Sequence, residues 1–142
     1  MTRVDFYLLA EGANSSRMEF ACQLAETIWR RGHQLYIHVA DEQQAHELDE
    51  KLWNFKPEAF VPHGLLNNHP PSPVEIGWQE DPGNHQDVLL NLDLKVPPHF
   101  SRFQRVAEII DATEAVKAPK RADWKFYKER GYPVHTHDMR TR

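Results

Sequence analysis

Residues 115–130, within "EAVKAPKRADWKFYKERG", concentrate side chains that could do chemistry. Lys117, Lys120, Arg121, Lys125, Lys128 and Arg130 stand there against only Asp123 and Glu129. That local excess of four positive charges lies on a chain whose formal net charge is -4, leaving about -8 for the remainder. On a helix, Lys117, Arg121, Trp124, Lys125 and Lys128 share one side at helical spacing. Ala115, Ala118, Ala122 and Phe126 share another, a narrow stripe expected to pack on the rest of the protein. A tryptophan projecting among cations is costly unless something covers it. A basic, aromatic surface suits a ligand that is both acidic and apolar. Single-stranded nucleic acid meets that description through phosphates and stacked bases. So does an acidic peptide ending in an aromatic residue and a carboxylate. Alternatively, the helix is merely solvated, with Trp124 folded under its lysine stems.

Other chemistries find less support. Nine histidines raise the question of a metal. The densest group, His135-Thr136-His137-Asp138, lies in an expected tail, and one cysteine cannot complete a structural zinc pattern. His38 falls in an apolar run and reads as a core histidine; His33, His46, His69, His85 and His99 read as turn or surface residues. No G-x-S-x-G elbow occurs, and Cys22 lies within a helical pattern, so no nucleophile is nominated. Asp41 follows an apolar run but is explained as a helix cap. The loop after the first apolar run, "AEGANSSRM", carries one glycine and lacks both phosphate-binding glycine patterns. No catalytic, metal-binding or cofactor-binding residue is therefore proposed, and a nucleotide-using enzyme is the least favoured reading.

The elements that must position the basic helix can be read along the chain. "VDFYLL" (4–9) and "QLYIHVA" (34–40) are expected strands. Between them Met18, Ala21, Leu24, Ala25 and Ile28 recur at helical spacing, with Ser16 and Glu19 as a capping box and Gly32 as the stop. That strand, helix, strand succession predicts a parallel pair with a right-handed crossover. Asp41 caps a second helix, with Gln44 three residues on and Ala45, Leu48 and Leu52 buried. A third short strand is expected at 59–62. "PVEIGW" (73–78) and "VLLNLDL" (88–94) are expected to form an antiparallel hairpin about Pro82-Gly83. "PPHFSRFQRVAEIID" carries Phe100, Phe103, Val106 and Ala107 at helical spacing, passing into a strand near "EIIDA". The basic helix ends at Gly131, and residues 132–142 are expected to be a tail. The fold class is α/β: one domain over 1–142, with a mixed, mostly parallel Rossmann-like sheet and helices on both faces.

With 142 residues, 40% hydrophobic and 27% charged, the chain suits one globular domain. No apolar run approaches the ~20 residues that span a bilayer, no secretory signal opens it, and its single cysteine fits the cytoplasm. The net charge gives no general affinity for nucleic acid. In mid-chain, "EAFVPHGLLNNHPPSPVEIGW" sets Phe60, Val61, Pro62 and His63 side by side before a proline-rich connector. Proline is confined to sheet edges or strand ends. An apolar edge beside Trp53 invites a partner to cover it, and His63 then reads as a packing residue.

Taken in order, "FYLL", "DEQQAHELDEKLW", "FVPHGL", "PVEIGW", "VLLNLDL" and "RADWKFYKERGY" resemble the chi subunit of bacterial DNA polymerase III holoenzyme, nearly end to end. The resemblance implies a Rossmann-like fold without catalytic activity, within the clamp-loader assembly. It implies two partners: the acidic C-terminal tail of single-stranded DNA-binding protein, which ends in phenylalanine, and the psi subunit. DNA is then met only indirectly. Arg121, Trp124 and Lys125 match the family's tail-binding arginine, aromatic and lysine. Lys117 matches less closely because the connection before the helix is shorter, which leaves Thr113 and Val116 as candidates for a pocket floor. Lys128 adds charge. Trp53, Phe60, Val61, Pro62 and His63 match the psi-facing segment.

Overall fold

The computed structural model describes residues 2–10, 17–56, 60–67, 70–79 and 81–140. Among them, seven strands form one sheet: β1 (Arg3–Leu8), β2 (Leu35–His38), β3 (His63–Leu65), β4 (Val74–Gly77), β5 (Val88–Asn91), β6 (Arg105–Ile110) and β7 (Val134–Asp138). Three helices accompany them: α1 (Arg17–Arg30), α2 (Glu42–Asn54) and α3 (Glu114–Glu129). The strand order is β3-β4-β2-β5-β6-β1-β7, and every pairing is parallel. Every residue of β2, β4 and β5 is buried, as parallel strands covered on both faces require. The expected α/β class is the observed one.

The two faces divide the residues by the period of two. Leu35, Ile37, Val74, Ile76, Leu90, Ala107 and Ile109 join the apolar faces of α1 and α2. Phe6, Tyr36, Leu89 and Val106 face the other way, under Tyr127 of α3 and under Phe100 and Phe103, which open and follow a 3-10 turn at Phe100–Arg102. Local signals end the helices as expected. The Asp41 carboxylate accepts from the Gln44 N–H at 2.9 Å, and Gln44 Oε1 accepts from the Ala40 N–H at 3.1 Å. Gly32 and Gly131 take φ +86° and +83° just past α1 and α3, a conformation only glycine adopts freely. The expected Ser16 cap lies outside the described residues.

Four expectations are corrected. The segments at 73–78 and 88–94 do not form a hairpin, because β2 lies between β4 and β5. The connection after β4 instead crosses the α3 face of β2, where His85 packs 5.5 Å from the Tyr36 ring and pairs with Glu75 at 2.7 Å. The third strand is at His63–Leu65, not 59–62, and residues 57–59 lie outside the described ones. The helix expected through 97–107 reduces to the 3-10 turn, and Arg105–Ile110 is strand throughout. Residues 134–138 are a strand where a tail was expected. This last strand is held by pairing with β1 and by His137, whose imidazole bonds Asp5 at 2.9 Å and stacks 4.7 Å from Tyr7. Burial opposes ionisation of Asp5, but hydrogen bonds from His137 and Arg105 outweigh it and hold the carboxyl below its usual range.

His85 and His99, expected as turn or surface residues, lie outside the strands and long helices but are buried. His99 meets Tyr36 and His38 ring to ring at 5.7 and 5.2 Å. Burial, reinforced by His38 and Arg102, pushes the His99 pKa down to about 4, while burial lowers His38 against the pull of Asp93. An imidazole whose folded pKa lies below its unfolded value contributes stability that is intact above the unfolded value. That contribution is lost as pH falls through the folded value. For His99 the window runs from 6.5 down to about 4. Neither of its ring nitrogens has a partner among the described residues, so His99→Phe sacrifices no hydrogen bond. We predict that this variant loses less stability to acid across that window, read as the urea midpoint against pH. A profile as steep as that of the unaltered protein would exclude His99 as a source of acid sensitivity.

Candidate functional site

The basic helix lies on the sheet by a different face from the one its alanines suggested. Ala115, Ala118 and Ala122 are exposed, whereas Val116, Lys120, Asp123 and Tyr127 point inward. The floor beneath them is polar. Glu108 of β6 is fully buried and accepts from Lys120 Nζ at 2.7 Å, Tyr127 Oη at 2.8 Å and Asn91 Nδ2 at 3.1 Å. Lys120 is 0% exposed and also bonds Asp123 at 3.0 Å. A buried charge is tolerable only when paired and hydrogen-bonded, and here it is both. Burial raises the Asp123 pKa despite that lysine, and burial beside Glu108 raises that of Tyr127. Lys120 is thus not one of the surface cations; it is the peg that sets the rotation of α3.

That rotation decides what the helix shows. Lys117, Arg121, Trp124 and Lys128 recur at the spacing of one helical stripe, and Lys125 lies beside it. Trp124 is 40% exposed, and Lys128 Nζ sits 5.3 Å from the centre of its ring. Lys125 is engaged with Glu129 at 3.8 Å. Lys117, Arg121 and Lys128 have no carboxylate partner among the described residues. On the other flank Phe126 packs 5.8 Å from Phe100, and Arg130 lies 4.6 Å over Phe126. The arrangement offers an anion several cations and a partly desolvated aromatic face on one strip. Val116 is half-buried and Thr113 is the N-cap, so both candidate floor residues stand at the amino end of the same helix.

The second surface is smaller than the sequence suggested. Trp53 is 56% and Phe60 60% exposed, with their rings 6.1 Å apart. Val61 is 1% exposed and belongs to the core below α2. Pro62 is half-buried ahead of β3 rather than within it. The His63 ring lies 4.7 Å from that of Trp53, tilted by 57°, and its nitrogens engage the Val61 carbonyl at 2.6 Å and the Asp49 carboxylate at 3.2 Å. Val61 and His63 therefore support the patch from beneath, and only Trp53 and Phe60 present large apolar area.

A family model described as DNA polymerase III chi subunit, HolC, matches residues 1–135. The chain belongs to the chi subunit family. Its similarity to the DNA polymerase III subunit chi of Pseudomonas aeruginosa is 47% identity over 139 residues, covering 98% of each chain. The Haemophilus influenzae subunit is 33% identical over 137 residues, and the Escherichia coli one 32% over 143. Those two alignments cover 94–96% of this chain and 95–97% of the relative. A chi-type chain is a replication accessory subunit. In this chi-family member the described residues contain no group of three or more His, Cys, Asp or Glu placed to hold a metal. They contain no helix long and apolar enough to cross a membrane. Sequence reasoning missed β7, which places the chain's last strand along the same side of the sheet as the basic stripe. Its signal was the alternation in "VHTHD", which is too polar to register as an apolar run.

Proposed function

We propose that this chi-family subunit is a non-catalytic, cytoplasmic adaptor associated with the polymerase III complex. The flank formed by Lys117, Arg121, Trp124, Lys125 and Lys128 binds the acidic C-terminal tail of single-stranded DNA-binding protein. The Trp53–Phe60 patch binds the psi subunit. The observation that carries the reading is the half-open indole of Trp124 beside Lys117, Arg121 and Lys128, which have no carboxylate partner among the described residues. Cations draw the acidic stretch to the surface and set its register, and an apolar terminus covers the indole. With Lys120 neutralised internally, the surface charge is smaller than the composition implies, which weighs against direct binding of single-stranded nucleic acid.

The test is a calorimetric titration with an acidic peptide that ends in phenylalanine, and with the same peptide lacking it. The full peptide is expected to bind about tenfold or more tighter, since burying an aromatic side chain contributes ~1.5–3 kcal/mol. Both affinities should fall with added salt. Equal affinities would remove the aromatic contact from the mechanism. Stoichiometric binding to a naked oligonucleotide at physiological salt, with no peptide binding, would replace the adaptor by a nucleic-acid binder.

A further inference from the structure

We propose that the outer edge of β7 is itself a receptor: an acidic peptide adds to it as a further parallel or antiparallel strand, alongside the basic flank of α3. This rests on the reading of that flank as a site for an acidic peptide and says how the peptide backbone is held. Two bonds fix which way β7 faces. The Val4 N–H donates to the Pro133 carbonyl at 2.9 Å, and the Met139 N–H donates to the Leu8 carbonyl at 2.9 Å. In a parallel ladder the two main-chain groups of one residue point to the same side. His135 and His137 therefore engage β1, while Val134, Thr136 and Asp138 turn their N–H and C=O groups outward. β7 is the last strand in the sheet order, so no strand of the described chain takes those groups.

The surroundings select an acidic, extended occupant. The chain passes from β6 through α3 to β7, with β1 between the two strands. With Phe126 turned toward Phe100 and the middle of the sheet, the stripe of Lys117, Arg121, Trp124 and Lys128 occupies the flank on the β7 side. On the opposite face of the sheet, a cavity of about 690 Å³ lies between α1 and β7, lined by Tyr7, Leu24, Ile28, His137 and Met139 among others. A strand added at β7 sends alternate side chains to opposite faces. One set meets the cations and the indole; the other meets this cavity. The one carboxylate on the described outward rim, Asp138, is neutralised by Arg140 at 2.7 Å, so the edge does not repel an anion. The opposite edge, β3, has three residues and lies beside α2, whose charged residues are mostly acidic, which is why charge favours β7.

The experiment uses the full chain and the acidic peptide that ends in phenylalanine, followed by amide exchange in NMR. Saturation with peptide is expected to slow exchange of the outward Thr136 amide at least tenfold and to leave the inward His135 and His137 amides little changed. Peptides N-methylated at alternate residues should split into two sets, one weakened about tenfold or more and one unaffected. Thr136→Pro removes an outward N–H that the β1 ladder does not use, and should weaken peptide binding while leaving the salt dependence due to Arg121. If the peptide binds and Arg121→Glu weakens it, yet Thr136 exchange and the N-methyl series are flat, the strand addition is wrong and the helix site stands. If no acidic peptide binds the unaltered protein, both fall together.

Discussion

Lys120→Ala is expected to lower stability by about 3–5 kcal/mol, the range for stranding one member of a buried ion pair. Lys120 and Glu108 are both fully buried and 2.7 Å apart. Among the described residues, alanine leaves the Glu108 carboxylate with Tyr127 and Asn91 as its donors. Against a total of ~5–15 kcal/mol for a domain, that loss unfolds a large fraction of the molecules at modest urea. Neutralising both partners has a different outcome. Glu108→Gln combined with Lys120→Met keeps volume and removes both fully buried charges, leaving only the less buried Asp123 without its lysine, so the double variant should recover a large part of the loss. Urea unfolding of the two single variants and the double variant tests the claim. Lys120→Ala within 0.5 kcal/mol of the unaltered protein, a margin typical of surface substitutions, would show that the pair does not anchor α3.

Arg121→Glu should do the reverse, leaving the fold intact and removing affinity for an acidic peptide. Arg121 is exposed and has no carboxylate partner among the described residues, so its loss costs the fold little. At a covered contact, reversing the charge is expected to weaken binding by ~2–4 kcal/mol, roughly 30- to 1,000-fold. Lys125→Glu provides the internal contrast. Lys125 is already engaged with Glu129 and largely solvated, so its loss should cost under ~1 kcal/mol. Titrations near physiological ionic strength, with thermal midpoints recorded alongside, separate the two effects. An Arg121→Glu protein that binds within twofold of the original would move the contact elsewhere on the surface.

These two neighbours on one helix, Lys120 and Arg121, mark the limit of local reading. Both are basic, both sit at helical spacing, and composition sorts them together. What separates them is Glu108, twelve residues away, in a segment whose phenylalanines and valine mimic a helix. Only when Arg105–Ile110 is seen as a strand does Glu108 face α3 and demand a cation. The alanines were assigned to the buried face for the same reason: small apolar residues are a natural choice against an apolar sheet, but the floor here is polar.

The chain by itself determined what depends on neighbours a few residues apart. That covers the apolar runs of β1, β2, β4 and β5, the Asp41 cap, the stops at Gly32 and Gly131, the basic stripe on α3, and the family. Those features arise from steric limits, capping and helical period, all of which act within a turn or two. Tertiary structure alone decided the all-parallel order, the burial of Lys120, His85 and His99, and the strand status of residues 134–138. β2 enters between β4 and β5, and β7 finds β1 some 130 residues away, and no local pattern encodes either event. Pairing and burial are settled by which distant groups meet, so a polar segment such as "VHTHD" becomes a strand only because β1 offers it an edge.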